Sequence, residues 1–490
     1  MTTTTKIMVL AIALTAHSSG AFSQVEIKIK TWPNTEMNAN HTSYIPSDVK
    51  AGFLHTMQPN CLSEAERKLL MEEADRNFEM IKRNKPDQII QRIAMPPAFI
   101  WPVQPKAGFN DYGYFTVQNL VDHNASFPNQ LLDYNCGNRT YDWAGGNHAG
   151  TDIIYWPYPW RRMDEEVMEI RAAADGNIII KKDGFFDRMC VNAGNPNWNG
   201  IVLQHSDGSR SIYMHFKNGG ITNKGVGDAV AAGEYLGLAA SSGSSNWPHL
   251  HFEVSSSTLT PMDPYQGNCN SMNPISLWQT QHPYNVPTVN RICSKYRTID
   301  YYSCPNPEIT FERDTFSIGD TLSLWLYVRD LVQNTTFQLE LFNPSNQLAN
   351  SWSFTVPWAT WPTSYLSWYW MVDPWWVQGW WKFKATWEGN SYEHLFFMTG
   401  QPSGMIETDK PSFRLFPNPA RESTMLSGRS LQKGDLIFIS NSLGQISKTY
   451  AVPDDSNEMA ISLEGLKSGY YTLSVKSSIG TIYKPLSIID

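Results

Sequence analysis

No CxxC pair occurs among the six cysteines of this 490-residue chain, which argues against a thiolate zinc knuckle. No internal apolar run reaches the roughly 20 residues that a membrane-spanning helix needs, which excludes a polytopic membrane protein. Basic residues are in deficit. Against 46 Asp and Glu stand 38 Lys and Arg, a formal net charge of −8, and nucleic acid as the main partner would require clustered cations. Charged residues make up only 17%, below the roughly 25% usual in soluble proteins. Apolar side chains are plentiful at 41%, and aromatics at 13%, so the chain can bury packed cores and is not globally disordered. At roughly 150 residues per domain, the length implies about three domains.

The chain opens MTTTTKIMVLAIALTAHSSGAFSQ. Lys6 precedes a short apolar run, Ile7 to Ala16, and Ala21-Phe22-Ser23 follows as a small-x-small cleavage pattern. Residues 1–23 therefore read as a secretory signal peptide cut after Ser23. In an exported chain, an even set of cysteines (Cys61, Cys136, Cys190, Cys269, Cys293 and Cys304) favours disulfides. All precede residue 305, and their pairing stays open.

The expected fold is mainly β. Residues 24–95 form an N-terminal segment, polar and irregular to about 60. Ser63 and Glu66 then make a capping box, and Leu69, Leu70, Ala74, Phe78 and Ile81 recur at helical spacing, predicting one amphipathic helix over about 63–84. That helix either packs on the next domain or serves as a pro-segment over an active site. Residues 96–295 carry short β-type runs between Gly, Asn and Asp turns, such as Asn177–Lys181, Gly200–Gln204, Ser211–His215 and His249–Val254, an antiparallel β pattern. Residues 296–400 hold eleven of the nineteen tryptophans and alternate as an Ig-like β-sandwich. Trp375-Trp376 and Trp380-Trp381 are adjacent pairs, whose members face opposite sides of a strand, so part of the set is expected to be exposed or covered by another surface, with core or interdomain packing preferred over a ligand platform. A linker over 401–410 leads to a small Ser-rich β-sandwich over 411–490.

Four of the eleven histidines fall in three motifs: His148-Ala-Gly-Thr-Asp152, Tyr213-Met-His215 and Pro248-His249-Leu-His251-Phe-Glu253. Taken singly, each motif is common. On a strand, positions i and i+2 share a face, so His249 and His251 project into one space with Leu250 behind them. HxxxD supplies one nitrogen and one oxygen donor. His148, Asp152 and one member of the pair make His₂Asp, the three-ligand set of a catalytic zinc with a position left for water. Two histidines remain for proton transfer or oxyanion stabilisation.

The stretch from about 140 to 265 resembles the lysostaphin/LytM-type zinc metallopeptidases, which cut peptide cross-links of bacterial cell walls. The resemblance rests on His148-Ala-Gly150-Thr-Asp152, Tyr213-Met-His215 and Ser242-Gly-Ser-Ser-Asn-Trp-Pro248-His249-Leu-His251-Phe-Glu253. Between and around them stand Ala172-Ala-Ala-Asp-Gly176, Gly225 to Gly237 and Met262-Asp263-Pro264. It implies one Zn²⁺ per chain on His148, Asp152 and His251, with His215 and His249 as catalytic histidines. His249 is then the preferred proton acceptor and His215 the electrostatic stabiliser, roles that exchange readily. Glu253 is either an orienting partner of a histidine or a surface carboxylate, and Tyr141 is a weaker candidate for transition-state support. One position departs from the family: Asn246-Trp247 stands where many relatives carry a small pair, which is expected to reshape the cleft. The loop Ile153–Met168, with Trp156, Tyr158 and Trp160, is expected to wall the site.

Phe416-Pro-Asn-Pro-Ala420, Asn441 to Gln445 and Leu466 to Tyr471 resemble the C-terminal sorting domain of type IX secretion substrates. The expected protein is thus a secreted or surface-attached monomer without a transmembrane span. It is a zinc endopeptidase acting on peptidoglycan peptides and exported by the type IX apparatus. Two alternatives stay open: an endopeptidase for other extracellular proteins, and a surface adhesin or glycan-binding protein whose metal domain is not catalytic.

Overall fold

The computed structural model describes residues 22–29, 49–56, 62–89, 97–190, 195–258, 260–296, 304–373, 376–402, 414–441, 446–477 and 480–489. The body of the expected signal peptide, Cys61, Trp375, most of the expected linker and all but the first residue of Asn441 to Gln445 lie outside them. Thirty strands and two α-helices are described, so the fold is mainly β and antiparallel. The chain divides into two compact units, Met1–Gly400 and Gln401–Asp490.

The first unit is organised around one antiparallel sheet. Its strands run in the order Ala229–Val230, Gly176–Lys182, Gly200–Gln204, Arg210–Met214, His249–Ser255, Gly150–Tyr155 and Phe115–Asn119. The two faces of this sheet have different tasks. Leu250, Phe252 and Val254 point to one side with Ile153, Tyr155, Ile201, Leu203 and Tyr213. A three-stranded sheet of Val103–Pro105, Met168–Arg171 and Tyr235–Leu238 accompanies them. Alternation sends His249, His251 and Glu253 to the opposite face. There Glu253 stands across from Ile212 and His251 across from Met214.

That second face also carries the helix Glu64–Asn84. Ser63 and Glu66 form the capping box anticipated from the sequence. Leu62, Leu70, Met71, Ala74 and Ile81 pack on Ile180, Trp198, Val202, Ile212 and Met214. Each buried Leu, Ile, Met or Val among them contributes about 1.5–3 kcal/mol on burial. Asn77 adds a hydrogen bond to the carbonyl of Ile179 at 2.8 Å. The helix therefore packs on the sheet that carries the site, beside the HxH strand.

A β-sandwich completes the unit. One sheet orders Phe22–Ile29, Val49–Thr56, Trp361–Met371, Thr321–Leu331 and Thr288–Lys295, and the other Thr315–Ile318, Asn390–Pro402, Gly379–Trp387, Thr336–Phe342 and Leu348–Thr355. Two features differ from the sequence expectation. Residues 24–60 are not wholly irregular: they supply two edge strands, Val49 pairing with Trp368, because the free edge of Trp361–Met371 offers hydrogen bonds that local sequence cannot reveal. The sandwich begins at Thr288, before the expected boundary at 296. Its tryptophans are chiefly core. Trp325, Trp368, Trp370, Trp376, Trp381 and Trp387 are buried, whereas Trp380 is 58% exposed beside Phe397.

The sandwich joins the first sheet through a buried aromatic cluster of Trp156, Tyr158, Trp247, Trp325 and Tyr327, with Ile154 and Cys293. Disulfides link Cys136 to Cys269 and Cys190 to Cys304, and Cys293 is a buried free thiol. The second unit is built from a three-stranded and a four-stranded antiparallel sheet around Leu426, Ile437, Ile439, Ile461, Leu473 and Leu486.

Candidate metal centre

Strand pairing brings the first three candidate residues together. His251 lies opposite Asp152 in the register of their two strands, and His148 precedes Asp152 by four residues. The Nδ1 of His251 is 2.9 Å from Oδ1 of Asp152 and 3.3 Å from Nε2 of His148, which is itself 3.2 Å from Oδ1. Three donors about 2.0–2.1 Å from a tetrahedral ion lie roughly 3.3 Å apart. The donor set and spacing therefore fit zinc. Gly150 is required here for space, since a Cβ on it would stand 2.5 Å from Cε1 of His251. Among the described residues, His148, Asp152 and His251 form a metal-competent group, and all are buried.

Each donor is held from behind. The Nδ1 of His148 faces the carbonyl of Leu120 at 2.7 Å, which directs Nε2 inward. Asn119 Nδ2 donates to Oδ2 of Asp152 at 3.0 Å, leaving Oδ1 for the centre. The Nε2 of His251 faces Oε2 of Glu253 at 3.4 Å. Burial opposes ionisation of Asp152, but the His148 charge and hydrogen bonds from His148 and His251 outweigh it and hold the carboxyl well below its usual value. Glu253 is fully buried. Burial again opposes its ionisation, and the Arg67 guanidinium with His251 brings its pKa down to about 2.

His215 and His249 occupy the same space. Their ring centroids are 4.4 Å apart, and Nε2 of His249 is 3.6 Å from Oδ1 of Asp152. The Nδ1 of His249 faces the carbonyl of Trp247 at 2.7 Å, and that of His215 faces the carbonyl of Ser242 at 2.6 Å. Both rings thereby turn Nε2 away from the backbone. His215 sits just past its strand with φ +68, a left-handed conformation that costs a non-glycine residue about 1–3 kcal/mol. Asn199 supports this turn: its backbone accepts from Phe216 at 2.9 Å, and its amide bonds to Phe185 and Phe216.

Other expectations resolve differently. The Trp247 ring does not stand free beside the candidate centre. It is buried in the aromatic cluster, edge-to-face with Trp160 at 6.3 Å. Residues 153–168 are no open loop but the end of a strand followed by the helix Pro159–Asp164, with Trp156, Tyr158 and Trp160 buried. Tyr141 stacks on His148 at 4.3 Å. Glu253 is no surface carboxylate. Asn119 carried no signal in the sequence, because a single Asn in a short strand belongs to no motif.

The antiparallel sheet thus brings a buried His/Asp/His cluster together with two further imidazoles. Residues 160–264 match the family model described as Peptidase family M23, and residues 414–489 match the Secretion system C-terminal sorting domain. Residues 160–264 thus carry a peptidase M23 domain and residues 414–489 a C-terminal sorting domain, and the latter marks a secreted or cell-surface protein. The first match begins after His148 and Asp152, which strand pairing supplies. A glycyl-glycine endopeptidase ALE-1 of Staphylococcus capitis is 34% identical over 148 residues, 29% of this chain and 35% of that protein. The chain thus spans about a third of the length of that curated relative. The catalytic domain of lysostaphin from Staphylococcus simulans is 26% identical, covering 33% of this chain and 89% of that domain with a TM-score of 0.18. Among the described residues no helix is long and apolar enough to cross a membrane.

Proposed function

We propose that the protein is a zinc-dependent endopeptidase that cleaves peptide cross-links of bacterial peptidoglycan. The single observation behind this reading is the convergence of His148, Asp152 and His251 at tetrahedral spacing with His215 and His249 beside them. Substrate class follows by likeness to the endopeptidase relative. In this reading His148 Nε2, Asp152 Oδ1 and His251 Nδ1 hold one Zn²⁺ per chain. When bound, the ion supplies Lewis acidity to a water molecule and to the carbonyl of the scissile peptide.

The remaining chemistry belongs to side chains. His249, with Nδ1 engaged by a carbonyl, takes the proton of the attacking water on Nε2 and passes it to the leaving amine. His215, held in its left-handed turn, directs Nε2 at the oxyanion that develops on the carbonyl. Residues 1–23 direct the first export step, and the type IX apparatus reads the C-terminal unit. The adhesin alternative loses its main motive, because most described tryptophans of the sandwich are core.

The test is digestion of purified murein by the full mature chain, with and without chelator, read by mass spectrometry of released peptides. One zinc per chain and chelator-sensitive release are expected. His215→Ala and His249→Ala should keep zinc while losing about 10²–10⁴-fold in rate, and His251→Ala should lose the metal. Release that survives His251→Ala overturns the mechanism. Cleavage of casein or elastin but not murein overturns the substrate class.

A further inference from the structure

The helix Glu64–Asn84 lies outside the residues matched to the peptidase family, yet it reaches the candidate metal site directly. From its first turns Arg67 extends to Glu253. Its Nε stands 2.6 Å from Oε1, and its terminal nitrogen 3.1 Å from Oε2. This is the two-pronged geometry that fixes a carboxylate in plane as well as in place. Glu253 is fully buried, and the Arg67 side chain is only 13% exposed. The same carboxylate faces Nε2 of His251 through Oε2, and His251 offers its other nitrogen, Nδ1, to His148 and Asp152.

We infer that Arg67 is a positioning residue for the metal centre, acting through Glu253 on His251. The chain of contacts is Arg67 fork, Glu253 carboxylate, His251 Nε2–H, His251 Nδ1 lone pair. A histidine ligand needs its second nitrogen hydrogen-bonded if tautomer and ring angle are to be set before the metal arrives. Glu253 performs that task only if its own rotation is stopped. The strand alone does not stop it, because the facing positions are occupied by apolar Ile212 and by Gly150. Arg67 stops it with two hydrogen bonds. The apolar face of the helix, seated on Ile212 and Met214, holds the guanidinium at the needed height. A segment ahead of the matched domain thereby completes the support of a ligand inside it. This inference rests on the proposed zinc reading and adds an element that the reading does not require.

The experiment measures zinc affinity of the full mature chain by competition with a chromophoric chelator, together with thermal unfolding. The unaltered protein must first bind one zinc; if it binds none, the zinc reading itself fails. Arg67→Met keeps the aliphatic stem and removes the fork. It should weaken zinc about 10–100-fold. Asn77→Ala removes a different helix-to-sheet bond, that to Ile179, and should lower the melting temperature while leaving zinc affinity within about twofold. Arg67→Met combined with Glu253→Gln leaves no unpaired buried charge, which protects the fold, and should weaken zinc no more than Arg67→Met alone. If Arg67→Met does not fold, the double variant is read instead and should show the same 10–100-fold loss. Zinc affinity unchanged in whichever of these two is read, an equal loss in Asn77→Ala, or additive losses in the double variant overturns the inference.

Discussion

Asn119 and Asp152 face each other across neighbouring strands, and the amide of the first holds one oxygen of the second at 3.0 Å. The carboxylate is thereby split into an anchored oxygen and a presented one. Removing the anchor leaves Asp152 free to turn between two orientations. Asn119→Ala should therefore weaken zinc binding about tenfold or more, as read by chelator competition, with His148 and His251 untouched. An affinity equal to that of the unaltered chain would show the amide to be idle.

Acid sensitivity has a source away from the metal centre. His205 is buried, with Nδ1 facing the carbonyl of Asp175 at 2.7 Å, Nε2 facing Ser211 Oγ at 2.8 Å, and Phe99 edge-on at 5.4 Å. Burial holds its pKa below the ordinary 6.5, outweighing the Asp175 carbonyl. The unfolded chain therefore takes up a proton near pH 6.5 that the folded chain refuses. Stability from this group is whole above pH 6.5 and is lost as pH falls toward the lowered folded value, at up to about 1.4 kcal/mol per pH unit. His205→Gln should flatten the dependence of the urea midpoint on pH below about 6.5. A curve as steep as that of the unaltered chain contradicts the assignment.

Trp247 ties the HxH strand to the aromatic junction. It is buried against Trp160, and its carbonyl receives Nδ1 of His249. Trp247→Ala should cost about 3–5 kcal/mol in denaturant unfolding, through the cavity it leaves. It should also lower the turnover number more than the zinc content, because the backbone that steers His249 relaxes. Full activity at full stability would mean that the junction does not support the histidine.

Much of the frame is legible in the sequence where local patterning decides it. Gly200–Gln204 and His249–Val254 fall on observed strands, because β-type composition and flanking turn residues fix them. The capping box at Ser63 announces the helix. The three histidine motifs are legible because imidazole and carboxylate spacing is chemical as well as structural. What escapes is long-range placement. Neither Arg67 nor Asn119 belongs to a motif, and each acquires a partner only when distant strands meet. The tryptophans show the same limit. Abundance announces a large apolar area, and only the second sheet of the sandwich, with Phe337, Leu339 and Phe383, decides which rings it covers.

The strand Val49–Thr56 finds its neighbour in Trp361–Met371, a segment that leaves the ribosome about 300 residues later. Early in biosynthesis only its ladder with Phe22–Ile29 can form, and its other edge has no partner. A recombinant fragment cut at the end of the peptidase-matched stretch keeps this strand and discards its mate, leaving a bare hydrogen-bonding edge that invites self-association. Expression trials that carry the gene through the sandwich, to about residue 400, avoid that hazard.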